Sequence, residues 1–441
     1  MLPRVGPLLV LLLCACSPGK DETAPSLGAK DTGTAAGDTG GGEGDTGTGD
    51  GGFVVDAPLP TETGPSAGCG TAADPDLDCD GYPASKDCND KDGTINPEAY
   101  DFEGDGVDND CDGTADNPVK TCTVSATSDD PKDFGRAADL CPQRSKTKAG
   151  TVFDPLAKAE FGAAGGSVTK PSQRKIVTAF GDNKPRMGDT FFGLQNGPWG
   201  SADPRAAKAL DIFPAAGGCA AIPLTADDCK QLSNGTAPLP GFPVNIQDWA
   251  EVRLFIIVPS NAKAMSFDFA FLSTEFSQYW NSAFNDAFFA LVTSKKIAGA
   301  NVAKDAKGRA ITVNSGFFQL CPKPGTVTGV DPKALSSAPC VGTLGDATVP
   351  GTLKGTNFDG AGAGSTDDTV PGAGSTKYVY GGGTGWLSAK FEVEPGEKIV
   401  VRFTVNDTSD GILDSAAIVD NIRWDKAPPK VPTGEVERPP K

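Results

Sequence analysis

The sequence predicts a mainly β protein, an antiparallel jelly-roll-like β-sandwich preceded by a small loop-rich acidic module and a disordered tether. Three observations carry that prediction. Short apolar or alternating segments bounded by turn residues recur through the C-terminal part of the 441-residue chain. Helical periodicity is scarce. The N-terminal part changes composition twice, from apolar to Gly/Thr/Asp-rich and then to acidic with threaded cysteines.

Residues 1–15 read as a signal peptide: Arg4 precedes the apolar run Leu8 to Leu13, which is too short to span a bilayer. Leu13-Cys14-Ala15-Cys16 resembles a bacterial lipobox, which implies that Cys16 becomes the lipid-modified N-terminus. Cys14 is the poorer choice because bulky Leu13 precedes it. The competing reading is an ordinary secreted protein, and both readings take the chain out of the cytoplasm. The expected address is the cell envelope, at the outer membrane or cell surface, with the lipid as the link to the membrane. Residues 16–66 are Gly/Thr/Asp-rich with little apolar content, so they cannot offset their ordering entropy and are expected to be a disordered tether. The Asp31-Thr32-Gly33, Asp38-Thr39-Gly40 and Asp45-Thr46-Gly47 triplets lack the apolar flanks that an aspartic protease needs.

Residues 67–120 form the acidic module. Asp76, Asp78 and Asp80, the Tyr82 carbonyl and Asp87 stand at positions 1, 3, 5, 7 and 12 of a loop with Gly81 at position 6. Asp101, Glu103, Asp105, the Val107 carbonyl and Asp112 repeat that spacing around Gly106. Oxygen ligands at these offsets, with glycine at the sharp turn, suit a hard cation, and calcium is the expected ion. Solvated acidic loops are the bland alternative, but two loops in one register favour the ion. Pro83 and Pro97 argue against flanking helices, so a groove-opening sensor is not expected. Aspartate at position 12 points to weak, extracellular-range affinity. The pair reads as a calcium-stiffened hinge between tether and sandwich. Asp90, Asp92, Asp108 and Asp110 are further acids that could ligate or simply be solvated.

The run from Asp80 to Asp90, then Ile95 to Ala99, then Asp105 to Gly113, resembles the MopE type of metal-binding motif found in exported proteins of myxobacteria and related organisms. The resemblance implies a metal without naming it.

Residues 121–425 supply the sandwich. Expected strands are Val252–Val258, Met265–Leu272, Ala287–Val292, Leu387–Val393, Ile399–Val405 and Ala416–Ile422, and short helices are expected at Asp133–Leu140 and Asp203–Leu210. Residues 426–441 are a Pro-rich tail. Ser266 to Phe276, Phe284 to Phe288, Asp407 to Ala416 and Val419 to Ile422 look like the choice-of-anchor L domain, with Asp130 to Cys141 fitting its opening. Thr274 stands where that family usually has an acid, and an insertion from about Pro322 to Gly383 separates the halves. The resemblance implies an exported protein whose family membership does not define its activity.

Cysteine usage agrees with export. Beyond Cys14 and Cys16, ten of the 12 cysteines remain, an even set that suggests disulfides between neighbours, such as Cys219 with Cys229 and Cys321 with Cys340. The absence of histidine excludes histidine-based catalysis and ligation. A net charge of -18 disfavours nucleic acid. Glu275, Asp286, Asp414 and Asp420 form a candidate second metal or ligand site, against the plainer reading that they brace turns. Phe276, Tyr279, Trp280 and Trp386 could give an aromatic platform for carbohydrate or could be core. The expected function is a non-catalytic surface lipoprotein with structural calcium, presenting the sandwich for adhesion or contact with a cell-surface protein or matrix. Carbohydrate binding is the alternative, and a carboxylate-pair hydrolase the remoter one.

Overall fold

A computed structural model describes residues 69–142, 152–164, 167–200, 224–232, 246–276, 284–320, 349–359, 381–408 and 413–439, all within one unit spanning Phe53–Lys441. The signal segment, Cys16, the tether, the helix expected at Asp203–Leu210, Tyr279, Trp280, Cys219, Cys321 and Cys340 lie outside the described residues.

A small ribbon comes first, β1 (Cys69–Thr71) against β2 (Asp74–Asp76). Then follow helix α1 (Pro131–Ala137), β3 (Leu156–Phe161), the short pair β4 (Ala163–Ala164) and β5 (Ser167–Val168), β6 (Arg174–Val177) and β7 (Phe191–Gln195). Helix α2 (Ala226–Leu232) precedes the long strands β8 (Ile246–Ile257) and β9 (Ala264–Ser273). The remaining strands are β10 (Ala287–Thr293), β11 (Ala298–Asn301), β12 (Ile311–Thr312), β13 (Gly382–Gly383), β14 (Leu387–Glu392), β15 (Lys398–Thr408), β16 (Ser415–Asp425) and β17 (Glu435–Glu437).

Two antiparallel sheets make the sandwich. One runs β11-β10-β15-β8-β3 with β12 beside β10, and the other runs β17-β14-β9-β16-β7-β6 with β13 beside β9. Alternation along β9 explains why it is buried throughout. Phe267, Phe269 and Phe271 face the opposite sheet, where Phe269 stacks on Phe288 at 4.5 Å and Phe267 meets Phe403 edge-on at 4.9 Å. Ala270 and Leu272 face outward into a second cluster with Ile418, Leu353, Phe358 and Trp386.

The six segments expected as strands are β8, β9, β10, β14, β15 and β16. Strands β3, β6 and β7 were not among the expected ones. In β7 the reason is local: a Cβ at Gly193 would sit 2.0 Å from the Trp199 ring, so the packing requires a glycine that reads as a loop residue. Helix α1 starts earlier than expected because Asp130 caps it, accepting from Lys132 N at 2.9 Å, and Pro131 fits its first position. The Pro-rich tail contributes β17, with Val436 opposite Ala389. Phe276 and Trp386 are core residues, stacked on Phe318 at 4.8 Å and against Phe191 at 5.9 Å respectively, so neither offers a sugar platform.

The acidic module is docked on the sandwich, not hinged to it. Phe102 enters the main core, and Lys426 of the tail lies 4.9 Å over its ring while pairing with Asp105. The turn between β8 and β9 is clamped at several points. Asn261 accepts from Tyr100 N at 2.8 Å and donates to Tyr100 O at 2.9 Å, and Ser260 N donates to Glu98 O at 3.1 Å. Loss of a free hinge follows from these bonds, which link residues more than a hundred positions apart.

Candidate metal centre

Within residues 69–120 the chain has almost no regular structure, and carboxylates take over the backbone bonding. Cys79 and Gly81 adopt left-handed conformations, with φ of 63° and 98°, which curl Asp76-Leu77-Asp78-Cys79-Asp80-Gly81 around a centre. Asp76 accepts from Cys79 N at 2.7 Å and Gly81 N at 3.0 Å, Asp78 from Asp80 N at 3.3 Å, and Asp80 from Tyr82 N at 2.8 Å. Each of Asp78 and Asp80 thus spends one oxygen on the loop. Their other oxygens, both Oδ2, are buried without a hydrogen-bond partner. Asp87, positioned by its N–H on Pro83 O, brings its carboxylate within 4.8 Å of both, and Asp90 comes as close to Asp76 and Asp78.

Electrostatics confirm the crowding. Burial pushes the Asp80 carboxyl up to about 6, and the neighbouring Asp78 and Asp87 charges add to it against the Tyr82 N–H and the Asn96 side chain. Asp78 is raised for the same first reason, with Asp87, Asp76 and Asp90 adding to it. No basic side chain is among the groups acting on either.

The second loop closes in a different register from the one expected. Asp105 is held by Lys426, Glu103 accepts from Val119 N at 2.7 Å, and Asp101 accepts from Asn109 N at 3.2 Å and Asn117 N at 2.5 Å. The carboxylates that gather are Asp108, Asp110 and Asp112. Their segment, Asp108-Asn109-Asp110-Cys111-Asp112-Gly113, repeats the first: Cys111 and Gly113 have φ of 57° and 97°, and Gly113 N donates to Asp108 at 2.9 Å as Gly81 N does to Asp76. Asp110 is pushed to about 7 by burial and by Asp112 and Asp101. Val107 lies before this cluster, its N–H on Asp105 at 2.9 Å. The recurrence of Asp-x-Asp-Cys-Asp-Gly was the signal in the sequence for this register.

Disulfides bind the two loops into one body. Cys69 pairs with Cys79, Cys88 with Cys111, and Cys122 with Cys141, and Cys229 is disulfide-bonded as well. The Cys88–Cys111 bond joins the residue after Asp87 to the residue between Asp110 and Asp112. Residues 87–117 match the family model described as "Putative metal-binding motif", of the MopE type, and residues 250–421 match that of the choice-of-anchor L domain. The chain carries both, in that order. No curated protein matches it.

The first match begins at Asp87, so Asp76, Asp78 and Asp80 lie upstream of the matched span. Its model bears copper in its name, yet the donors here do not suit that ion. The chain has no histidine, and all four cysteines of the module are in disulfides rather than thiolates. Carboxylate and carbonyl oxygens remain, the donors of hard cations.

Within the span that matches the choice-of-anchor L model, the four acids expected to form one site do not stay together. Glu275 and Asp286 lie within 4.8 Å of one another and of Asp407. Asp414 is not in that group, and its carboxylate accepts from Gln195 Nε2 at 2.8 Å. Asp420 instead stands opposite Asp268 in the middle of the β9–β16 pairing, because four residues of β16 separate it from Ser415. There it accepts from Arg186 N and Met187 N and faces Asp139. Asp139 is pushed to about 8, by burial first and then by the Asp420 charge and the bond between the two carboxyls, and Asp420 to about 7 by burial. Burial and the neighbouring carboxyl thus both favour the pair's retaining a proton.

Proposed function

We propose that this chain is a non-catalytic exported surface lipoprotein in which structural calcium fixes the MopE-type module against a choice-of-anchor L sandwich that serves adhesion or envelope contact. The observation that carries the calcium reading is the meeting of Asp78, Asp80 and Asp87, with Asp76 and Asp90 gathered on the Asp78 side, around the buried Oδ2 atoms of Asp78 and Asp80. An oxygen-seeking divalent ion supplies the counter-charge that those groups lack. Both family matches, the disulfides and the leader sequence support export. The lipid link rests on the Leu13-Cys14-Ala15-Cys16 sequence alone.

Differential scanning calorimetry of the purified chain tests the ion. Chelation lowers the melting temperature, and calcium restores it more than magnesium does; a melting curve indifferent to EDTA refutes structural calcium. At millimolar calcium and a weak-site affinity of roughly 10⁻⁴–10⁻³ M, the linkage is worth about 0.4–1.4 kcal/mol per site. Membrane fractionation tests the anchor: Cys16→Ala releases the protein to the soluble fraction, and retention of that variant on membranes removes the lipid from the proposal.

A further inference from the structure

We infer a second cation site inside the sandwich, at Glu275, Asp286 and Asp407, for a hard divalent ion of the calcium class. It stands apart from the acidic module and does not rest on the reading above. Glu275 follows β9, Asp286 precedes β10, and Asp407 lies near the end of β15, where the register against β8 shifts. One carboxylate oxygen of each lies within 4.8 Å of the others, and the residues are 1%, 0% and 2% exposed. Ligands on opposite sides of one calcium stand about 4.6–5.2 Å apart, so a single ion reaches all three. Three carboxylates this close, away from water, repel strongly, and a cation between them reverses the sign of the interaction.

Ser415 is the independent pointer. It is fully buried, and its Oγ has no hydrogen-bond partner. On β16 it shares the face of Ala417 and Val419, and on β9 its register partner Ser273 shares the face of Phe271 and Phe269. Those residues pack against β10 and β15, so the hydroxyl is aimed between the sheets, at the end where Asp286 and Asp407 enter. Asn196 ties the two sides together: its Nδ2 donates to Asp286 Oδ2 at 3.0 Å, and its Oδ1 accepts from Ser415 N at 2.6 Å. Ser273 Oγ accepts from Glu275 N at 3.0 Å, and Glu275 Oε2 accepts from Asp286 N at 3.2 Å. The core that is phenylalanine at its middle thus ends in a layer of oxygen donors.

Calorimetric titration of the EDTA-treated full chain with calcium chloride decides it. The double variant Glu275→Gln/Asp286→Asn binds one calcium fewer than the parent. A variant with the module disabled, Asp78→Asn/Asp80→Asn/Asp108→Asn/Asp110→Asn, keeps one. An unchanged stoichiometry in the folded double variant overturns the inference. Should that variant fail to fold, the module-disabled chain decides: one calcium retained upholds the site, and none bound overturns it. If the module binds nothing, the parent takes up a single calcium, which the double variant abolishes and the module variant leaves alone. That result supports this site while refuting the module.

Discussion

Glu251 in the sandwich and Asp80 in the acidic module are both shielded carboxylates, and they are neutralised in opposite ways. Glu251 is fully buried, yet Arg402 binds it through two nitrogens at 2.8 and 2.7 Å, Arg253 adds a third bond at 3.0 Å, and Trp249 Nε1 a fourth at 2.9 Å. Asp268 is served similarly by Arg186 and Arg423. Asp80 has other carboxylates for neighbours and one oxygen with no partner. At Glu251 and Asp268 the sandwich carries its counter-charges in its own sequence, whereas Asp78 and Asp80 leave them to the medium, as the buried end at Glu275, Asp286 and Asp407 also does. The module's dependence has a physical reason, because about fifty polar residues bury too little apolar surface to hold a fold by themselves.

The largest test breaks the internal half of that contrast. Arg402→Ala leaves Glu251 short of its bidentate partner and costs about 3–5 kcal/mol, measured by urea unfolding, with the same loss in calcium and in EDTA. A loss that depended on calcium would join the two regions that the comparison separates. A smaller effect concerns Asp139 and Asp420, whose folded pKa values of about 8 and about 7 lie above the unfolded one. A raised folded pKa means stability that is fully present at low pH and lost as pH rises through the folded values. Between pH 5 and 7 the slope is about -1.4 kcal/mol per pH unit for each proton held. Asp139→Asn flattens it, with or without EDTA; a slope unchanged in that variant denies the retained proton. The smallest effect changes sign. Asp80→Asn lowers the melting temperature in calcium by removing a ligand. In EDTA near neutral pH it raises stability by less than about 1 kcal/mol, since it relieves a carboxyl already pushed toward protonation. Destabilisation of equal size in both media would mean that Asp80 only braces the loop.

Much of this was legible in the chain. The six main strands were, because runs such as Val252–Val258 and Ile399–Val405 cannot be soluble unless both sheet faces are covered. The flanking strands β6 and β7 were harder, since Gly193 is there for Trp199 and not for the strand. In the module, the spacing from Asp76 to Asp87 contains the three carboxylates that gather, Asp78, Asp80 and Asp87. From Asp101 to Asp112 the structure instead gathers Asp112 with Asp108 and Asp110, while Lys426, hundreds of residues later, pairs with Asp105. In the sequence Asp407 stands only at the start of the Asp407 to Ala416 stretch. Its place beside Glu275 and Asp286 depends on strand pairing across more than a hundred residues, which no local pattern encodes.

The Cys69–Cys79 bond has a mechanical consequence. Any load applied upstream of Cys69 enters the chain beside Asp76, which faces Cys69 across the β1–β2 ribbon, and passes through sulfur to the middle of the first loop. From Asp87 the next residue is bonded to Cys111, and Tyr100 hands the path to Asn261 on the β8–β9 turn. Tension on the N-terminal side would therefore be borne first by covalent crosslinks and by the carboxylate loop between them, so the grip of an ion there would set how much pull the attachment withstands before the strands of the sandwich feel it.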